Sequence, residues 1–205
     1  MNSLRVYPTS INARYMEQAA EALRRGEIVI CPTDTLYALT CDALNQSAIE
    51  RLCAIKGINP QKQSLSVICS DISQASEYAR IDNLAFRCLR SHTPGAFTFI
   101  LPASTSLPKA FKGRRTVGVR IPGNPVARAL AEALGHPILT TSIPADTERL
   151  SYDEITMPDE IMMRMEASGA SLIIDAGQGD SIPSTIVDLT DSSAPEILRQ
   201  GRAEF

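Results

Sequence analysis

Apolar residues recur along the chain with two alternating periods. Residues 12–25 place Met16, Ala19, Ala20 and Leu23 at helical spacing with charge between them, and Gly26 stands where a left-handed C-cap belongs. This predicts an amphipathic helix, followed by a strand over residues 27–31 whose Ile28-Val29-Ile30 run suits full burial. After a threonine-rich turn, Ile49, Leu52 and Cys53 mark one face of a second helix over residues 46–55, which puts Lys56 at a helix end. A polar loop then leads into a strand over 65–69. Two short helices over 71–80 and 82–91 each open on an aspartate suited to the unpaired amides of a helix N-terminus. The turn Thr93-Pro94-Gly95-Ala96 precedes a strand over 97–101, a basic loop spans 109–115, and residues 116–121 alternate as a strand. Asn124-Pro125 opens a helix that Gly135 closes, with a strand over 138–142 behind it. A helix over 158–167 and strands over 171–175, 185–189 and 196–199 complete the pattern. Some strands follow one another directly, so the fold class is α/β: one twisted, mixed parallel and antiparallel sheet with flanking helices.

Composition sharpens this only in part. The chain has 205 residues and no linker that would divide it, so a single domain over residues 7–205 is expected. With 44% hydrophobic and 21% charged residues it falls among ordinary globular proteins. No stretch approaches the roughly 18 consecutive apolar residues that span a bilayer, and the N-terminus lacks a secretory pattern. No membrane partner and a cytoplasmic location are therefore expected. The five cysteines are odd in number and none is in Cys-x-x-Cys spacing. Cys31, Cys53, Cys69 and Cys88 lie in apolar segments, as buried free thiols do. A net charge of −3 argues against a uniformly basic nucleic-acid binder. It leaves room for a local basic surface, for which Lys109, Lys112, Arg114 and Arg115 are the candidates, suited to a triphosphate or an RNA backbone.

Several chemistries drop out. His92 and His136 are the only histidines and stand outside any ligand spacing, so no metal site is expected. There is no Gly-x-Ser-x-Gly elbow and no strand-GxxxxGK[ST]-helix phosphate loop. What remains is Pro32-Thr33-Asp34-Thr35, where a buried strand ends and open α/β sheets place their ligands; a plain turn and helix cap is the competing reading. Thr35, Lys56, Thr116, Arg120, Thr141, Ser142, Ser184, Thr185 and Arg199 also stand at strand or helix ends. One at a time these are turn residues or solvated cations. Together, cations and hydroxyls around one sheet edge suit a small anion bound by charge-assisted hydrogen bonds.

The order of motifs resembles the YrdC-like family, whose best-known members are threonylcarbamoyl-AMP synthases. The resemblance runs through Pro32-Thr33-Asp34-Thr35-Leu36-Tyr37, Ile55-Lys56-Gly57, Thr93-Pro94-Gly95-Ala96-Phe97-Thr98, Thr116-Val117-Gly118-Val119-Arg120-Ile121-Pro122, Thr141-Ser142, Ser184-Thr185-Ile186-Val187-Asp188 and Leu198-Arg199-Gln200-Gly201. It implies a concave basic face that binds ATP and threonine. The implied reaction joins threonine, bicarbonate and ATP into threonylcarbamoyl-adenylate and pyrophosphate, for transfer RNA modification, with Mg²⁺ accompanying ATP. By motif, Lys56 and Arg120 would be the catalytic cations. Thr35, Arg120, Ser142 and Ser184 would hold the threonine side, and Lys56, Lys62, Thr116 and Arg199 the nucleotide. Two positions depart from the synthases. Ile58 stands where they carry an arginine, and Pro144 where they carry an asparagine. Losing one charge-assisted contact costs about 1.5–3 kcal/mol, so weak or altered activity is expected; the two departures look like those of the YciO branch, which the chain most resembles. An RNA-binding module without adenylate chemistry, gripping transfer RNA or double-stranded RNA, is the alternative reading.

Overall fold

The computed structural model describes residues 1–60, 65–112, 115–143 and 156–205. The chain opens with β1 (Asn2–Arg5) and α1 (Ala13–Arg24), the helix capped by the Asn12 side chain accepting from the Arg14 amide. β2 (Ile28–Cys31) is buried throughout, and β3 (Ala38–Asp42) returns antiparallel to it. α2 (Gln46–Lys56) is capped by Asn45 and stops at Gly57, which takes φ 71°. β4 (Ser66–Ile68) leads to α3 (Ile72–Tyr78) and α4 (Asn83–His92), and Asp71 and Asp82 accept amides at their N-termini as the sequence predicts. β5 (Phe97–Pro102), the short α5 (Lys109–Lys112) and β6 (Thr116–Arg120) follow. α6 (Pro125–Leu134) carries Pro in its first turn and ends at Gly135 with φ 85°. β7 (Ile138–Ser142), α7 (Pro158–Met165), β8 (Ala170–Asp175), β9 (Thr185–Asp188) and β10 (Glu196–Arg199) close the chain.

The ten strands form one sheet in the order β1-β8-β2-β3-β7-β4-β6-β5-β9-β10. β8 runs parallel to β1 and β2, β4 to β6, and β5 to β9, while the remaining pairs are antiparallel. The mixed sheet expected from directly successive strands is therefore present. No helix among the described residues is long and apolar enough to cross a membrane.

Each face of the sheet has its own core. On one face Ile30, Leu39, Val67, Phe99, Val119, Leu139 and Ile173 pack against α2, α3, α4 and α7. On the other, Val29, Cys31, Ile68, Ile138, Leu172 and Ile174 pack against α1 and α6. These two helices reach only part of that second face. Beyond them the inward positions become polar: Thr140 pairs with Thr40 and Ser66, and Ser66 with Gly118. That uncovered stretch is where a ligand has room.

Three elements depart from the expected pattern. β1 was not anticipated before residue 7, because only Leu4 of its four residues is buried and one apolar contact makes no period. β3 occupies the end of what reads as a threonine-rich turn. All five of its residues are buried, so the usual alternation is absent, and Thr40 is accommodated by donating to the Val29 carbonyl at 2.7 Å. The basic stretch at 109–115 begins as helix α5 rather than loop, because Ala110 and Phe111 are buried in the core. Cys31, Cys41, Cys53 and Cys69 are buried free thiols, whereas Cys88 is half-buried.

Candidate functional site

The turn after β2 is built by its own hydroxyls. Thr33 Oγ1 accepts the Thr35 amide at 3.1 Å and donates to the Leu36 carbonyl at 2.8 Å, which fixes the turn and leaves the Thr35 side chain inward. Below it, Tyr37 is fully buried. Its hydroxyl donates to the Gly177 carbonyl at 2.8 Å and accepts the Ala176 amide at 3.1 Å. The ring lies so close to Gly179 that a Cβ there would come within 2.7 Å of it. The loop Gly177-Gln178-Gly179 is thereby clamped to the Thr33–Thr35 turn, with the Asp180 amide donating to the Thr35 carbonyl at 3.1 Å.

Arg120 is the charge this turn receives. Its Nη2 donates to Thr35 Oγ1 at 3.0 Å and to Asp34 Oδ1 at 3.3 Å. Asp34 Oδ2 takes the Gly123 amide at 2.7 Å, and Asn124 Nδ2 donates to the Thr33 carbonyl at 3.2 Å, so the end of β6 and the start of α6 hold the turn. Burial holds the Arg120 guanidinium below its ordinary value; Asp34 opposes that, and the nearby Arg199 adds to it. The Nε of Arg120 is buried and has no hydrogen-bond partner.

Thr35, Arg120, Ser142, Ser184 and Arg199 line one cavity of about 250 Å³. With Thr141, which also lines it, the structure brings together six of the residues singled out in the sequence. Arg199 donates through Nε and Nη2 to the Ser184 carbonyl at 3.2 and 2.8 Å, which ties β10 to the start of β9. Ser184 Oγ pairs with Thr98 Oγ1 at 2.8 Å. Lys56, at the C-terminus of α2, donates to Ser142 Oγ at 3.0 Å and to the Ile143 carbonyl at 3.3 Å, reaching the cavity through Ser142. Burial lowers the Lys56 ammonium below its ordinary value.

Thr116 is not brought in. It shares the face of Arg120 but stands four residues away on β6, about 13 Å at strand rise, and does not line the cavity. Lys62 and Pro144 lie outside the described residues. Ile58 packs against the core instead of facing a ligand, because it closes α2: its amide donates to the Cys53 carbonyl at 2.9 Å beside the left-handed Gly57.

The cavity floor was not visible in the local pattern. It is made by Ser66 at the start of β4, Thr98 in β5 and Thr140 in β7. Gly118 lies between Ser66 and Thr98, and any side chain there would collide with Ser66 Oγ. The Thr140 hydroxyl is buried without a partner. The one available signal was the presence of Ser, Gly and Thr at inward positions of otherwise apolar strands. With two cations on the lining and a third behind Ser142, the cavity suits a small, hydroxyl-rich or carboxylate-bearing anion. No group of three or more His, Cys, Asp or Glu side chains among the described residues is placed to hold a metal ion.

A family model for Sua5, YciO and YrdC, described as telomere recombination, matches residues 21–201. The chain belongs to the Sua5/YciO/YrdC family. It is 37% identical to YciO of Escherichia coli K12 over 96% of this chain and 93% of that one. The crystal structure of E. coli YciO matches with a TM-score of 0.88, covering 100% of this chain and 98% of that chain. A threonylcarbamoyl-AMP synthase from Halorhodospira halophila is 37% identical over 62% of this chain and 67% of its own length. The crystal structure of P. abyssi Sua5 complexed with L-threonine matches with a TM-score of 0.82 at 27% identity, covering 98% of this chain and 58% of that chain. The Sua5/YciO/YrdC fold is thus shared over the whole length, with the likeness to YciO extending along nearly all of both chains.

Proposed function

We propose that this Sua5/YciO/YrdC protein binds ATP and threonine, or a closely similar amino acid, and forms a carbamoyl-adenylate in the cytoplasm with low or redirected turnover. The observation that carries the reading is the buried Arg120, fixed by Thr35 and Asp34, in the lining of a cavity that also takes in Ser184 and Arg199. The relative named threonylcarbamoyl-AMP synthase and the relative solved with L-threonine support the choice of substrates.

In this reading the amino acid, carboxylated on nitrogen by bicarbonate with loss of water, lies with its carboxylate on Arg120 and Thr35. Ser142 and Ser184 orient it by hydroxyl hydrogen bonds. A carbamate oxygen attacks the α-phosphorus of ATP, the bond to the β-phosphate breaks, and pyrophosphate leaves with the Mg²⁺ that accompanied the nucleotide as part of the substrate. Lys56 and Arg199 neutralise the phosphate charge as it develops, so catalysis rests on positioning and electrostatics, with no covalent intermediate. Lys56 and Arg199 are the nucleotide-side cations that fit this charge. Ile58, turned to the core, supplies none, which is the reason for expecting slow turnover.

The test is pyrophosphate release from ATP, Mg²⁺, bicarbonate and each amino acid in turn. The expected result is release dependent on one amino acid and lost in Lys56→Ala and Arg120→Ala. Release no greater than in those two variants would overturn the reading.

A further inference from the structure

A second cavity, of about 520 Å³, lies where β5 ends and β6 begins, and shares no lining residue with the first. Pro102 pairs with Thr116 at this end of the two strands, whereas the first cavity takes Thr98 and Arg120 from the other end. Two arginines line it: Arg80, just after α3, and Arg115, just before β6. Their backbones are pinned to its rim, the Arg80 amide donating to the Pro102 carbonyl and the Ala103 amide to the Arg115 carbonyl, each at 2.8 Å. Arg115 holds φ 57°, a left-handed conformation uncommon outside glycine.

Neither arginine has a carboxylate partner among the described residues, and the lining contains no Asp or Glu. The rest of the wall is apolar, with the buried Leu107 and Phe111 beside Pro102 and Ala103. The basic stretch that the first site leaves unused therefore has a structural counterpart: α5 supplies Phe111 to the apolar wall, and Arg115, just before β6, supplies a cation.

We propose that this cavity is a second binding site, for a small organic anion with a phosphate or carboxylate head and a flat apolar body. Each guanidinium on the lining offers a planar fork that matches either head group. An inorganic anion would fill little of the volume and leave the Leu107 and Phe111 wall wet. A ligand with an apolar body removes that surface from water as well.

The experiment uses the full chain, with phenyl phosphate, benzoate and inorganic phosphate as probes, followed by amide chemical shifts in NMR. Saturable shifts at Ala103, Ser104 and Arg115 are expected from phenyl phosphate or benzoate, and whichever of the two is tighter identifies the head group. Inorganic phosphate should bind at least tenfold more weakly. The Arg80→Gln/Arg115→Gln variant changes two exposed residues and should keep the parent melting temperature while losing tenfold or more in affinity. The proposal is overturned if no probe gives saturable shifts, or if they fall only at Thr35, Arg120 and Ser184. It is equally overturned if inorganic phosphate binds as tightly as phenyl phosphate, or if the folded double variant binds as the parent does.

Discussion

At the scale of single residues the site is a balance between burial and pairing. Arg120 and Asp34 have side chains only 10% and 16% exposed, so removing one partner strands the other's charge. The two removals are unequal. Without Arg120, Asp34 keeps the Gly123 amide; without Asp34, Arg120 keeps only the Thr35 hydroxyl. Asp34→Ala is therefore expected to cost about 3–5 kcal/mol and Arg120→Ala less, as read from urea midpoints at constant slope; equal costs would refute the asymmetry. Lys56 gives a prediction in pH. Its folded pKa lies below the ordinary 10.5 because burial disfavours the ammonium. As pH rises through that lowered value the cation is lost, so affinity for an anionic ligand falls before pH 10.5 is reached. The stability of the free protein moves the opposite way: the burial penalty on the ammonium disappears over the same window, and stability rises relative to Lys56→Gln. Calorimetric titrations and melts over that range read both slopes, and slopes of the same sign would contradict the assignment.

At the scale of elements, the C-terminus of α2 explains why Lys56 is well placed and Ile58 is not. Gly57 in the left-handed conformation lets its own amide reach the Ala54 carbonyl and the Ile58 amide the Cys53 carbonyl, and Ile58 then turns onto the core. No atom lies within 4 Å of a Cβ built on Gly57, so Gly57→Ala meets only the backbone penalty, about 1–2 kcal/mol. A loss much larger than that in thermal or urea unfolding would show that the glycine serves packing as well. Such local rules were readable in advance. The caps at Asp71, Asp82 and Asn124, the left-handed Gly26 after α1, the stop at Gly135, and the periods of α1 and α2 are all properties of consecutive residues. β3 was not readable, since a strand buried on both faces has no alternation, and β1 was too short to have one. The site divides in the same way. Thr35, Arg120, Ser142, Ser184 and Arg199 stand at element ends where chemistry is conspicuous. Ser66, Thr98, Thr140 and Gly118 become a floor only through the cross-strand register of β4, β5, β6 and β7, which no local window contains. Thr116 shows the converse, because a matching motif did not bring its side chain to the cavity.

At the scale of the whole molecule, the sheet is unevenly supported, and the cavity lies toward its weaker side. The central strands have neighbours on both edges, and β2 and β3 are buried along their whole length. β10 is an edge strand with all four residues exposed, paired only with β9 through an irregular register. It is nonetheless the strand that carries Arg199 into the cavity wall, held there by the Ser184 carbonyl while the next residues are tied back through Gly201 to the Thr185 hydroxyl. Few buried apolar contacts and an exposed ladder place such an element at the low end of local stability. Amide hydrogen exchange should therefore be fastest, among the strands, at β10, and much slower at β3 and β7. An anion held by Arg199 and Arg120 joins β10 to the interior of β6, so ligand should slow exchange in β10 while leaving the already protected β3 unchanged. ATP with threonine is the first ligand to try, and Arg120→Ala is the control that removes the inner anchor. Equal protection of β10 and β3 in the free protein would show that the edge is not the loose element. Slowing that persists in Arg120→Ala would show that the ligand does not bridge the two strands.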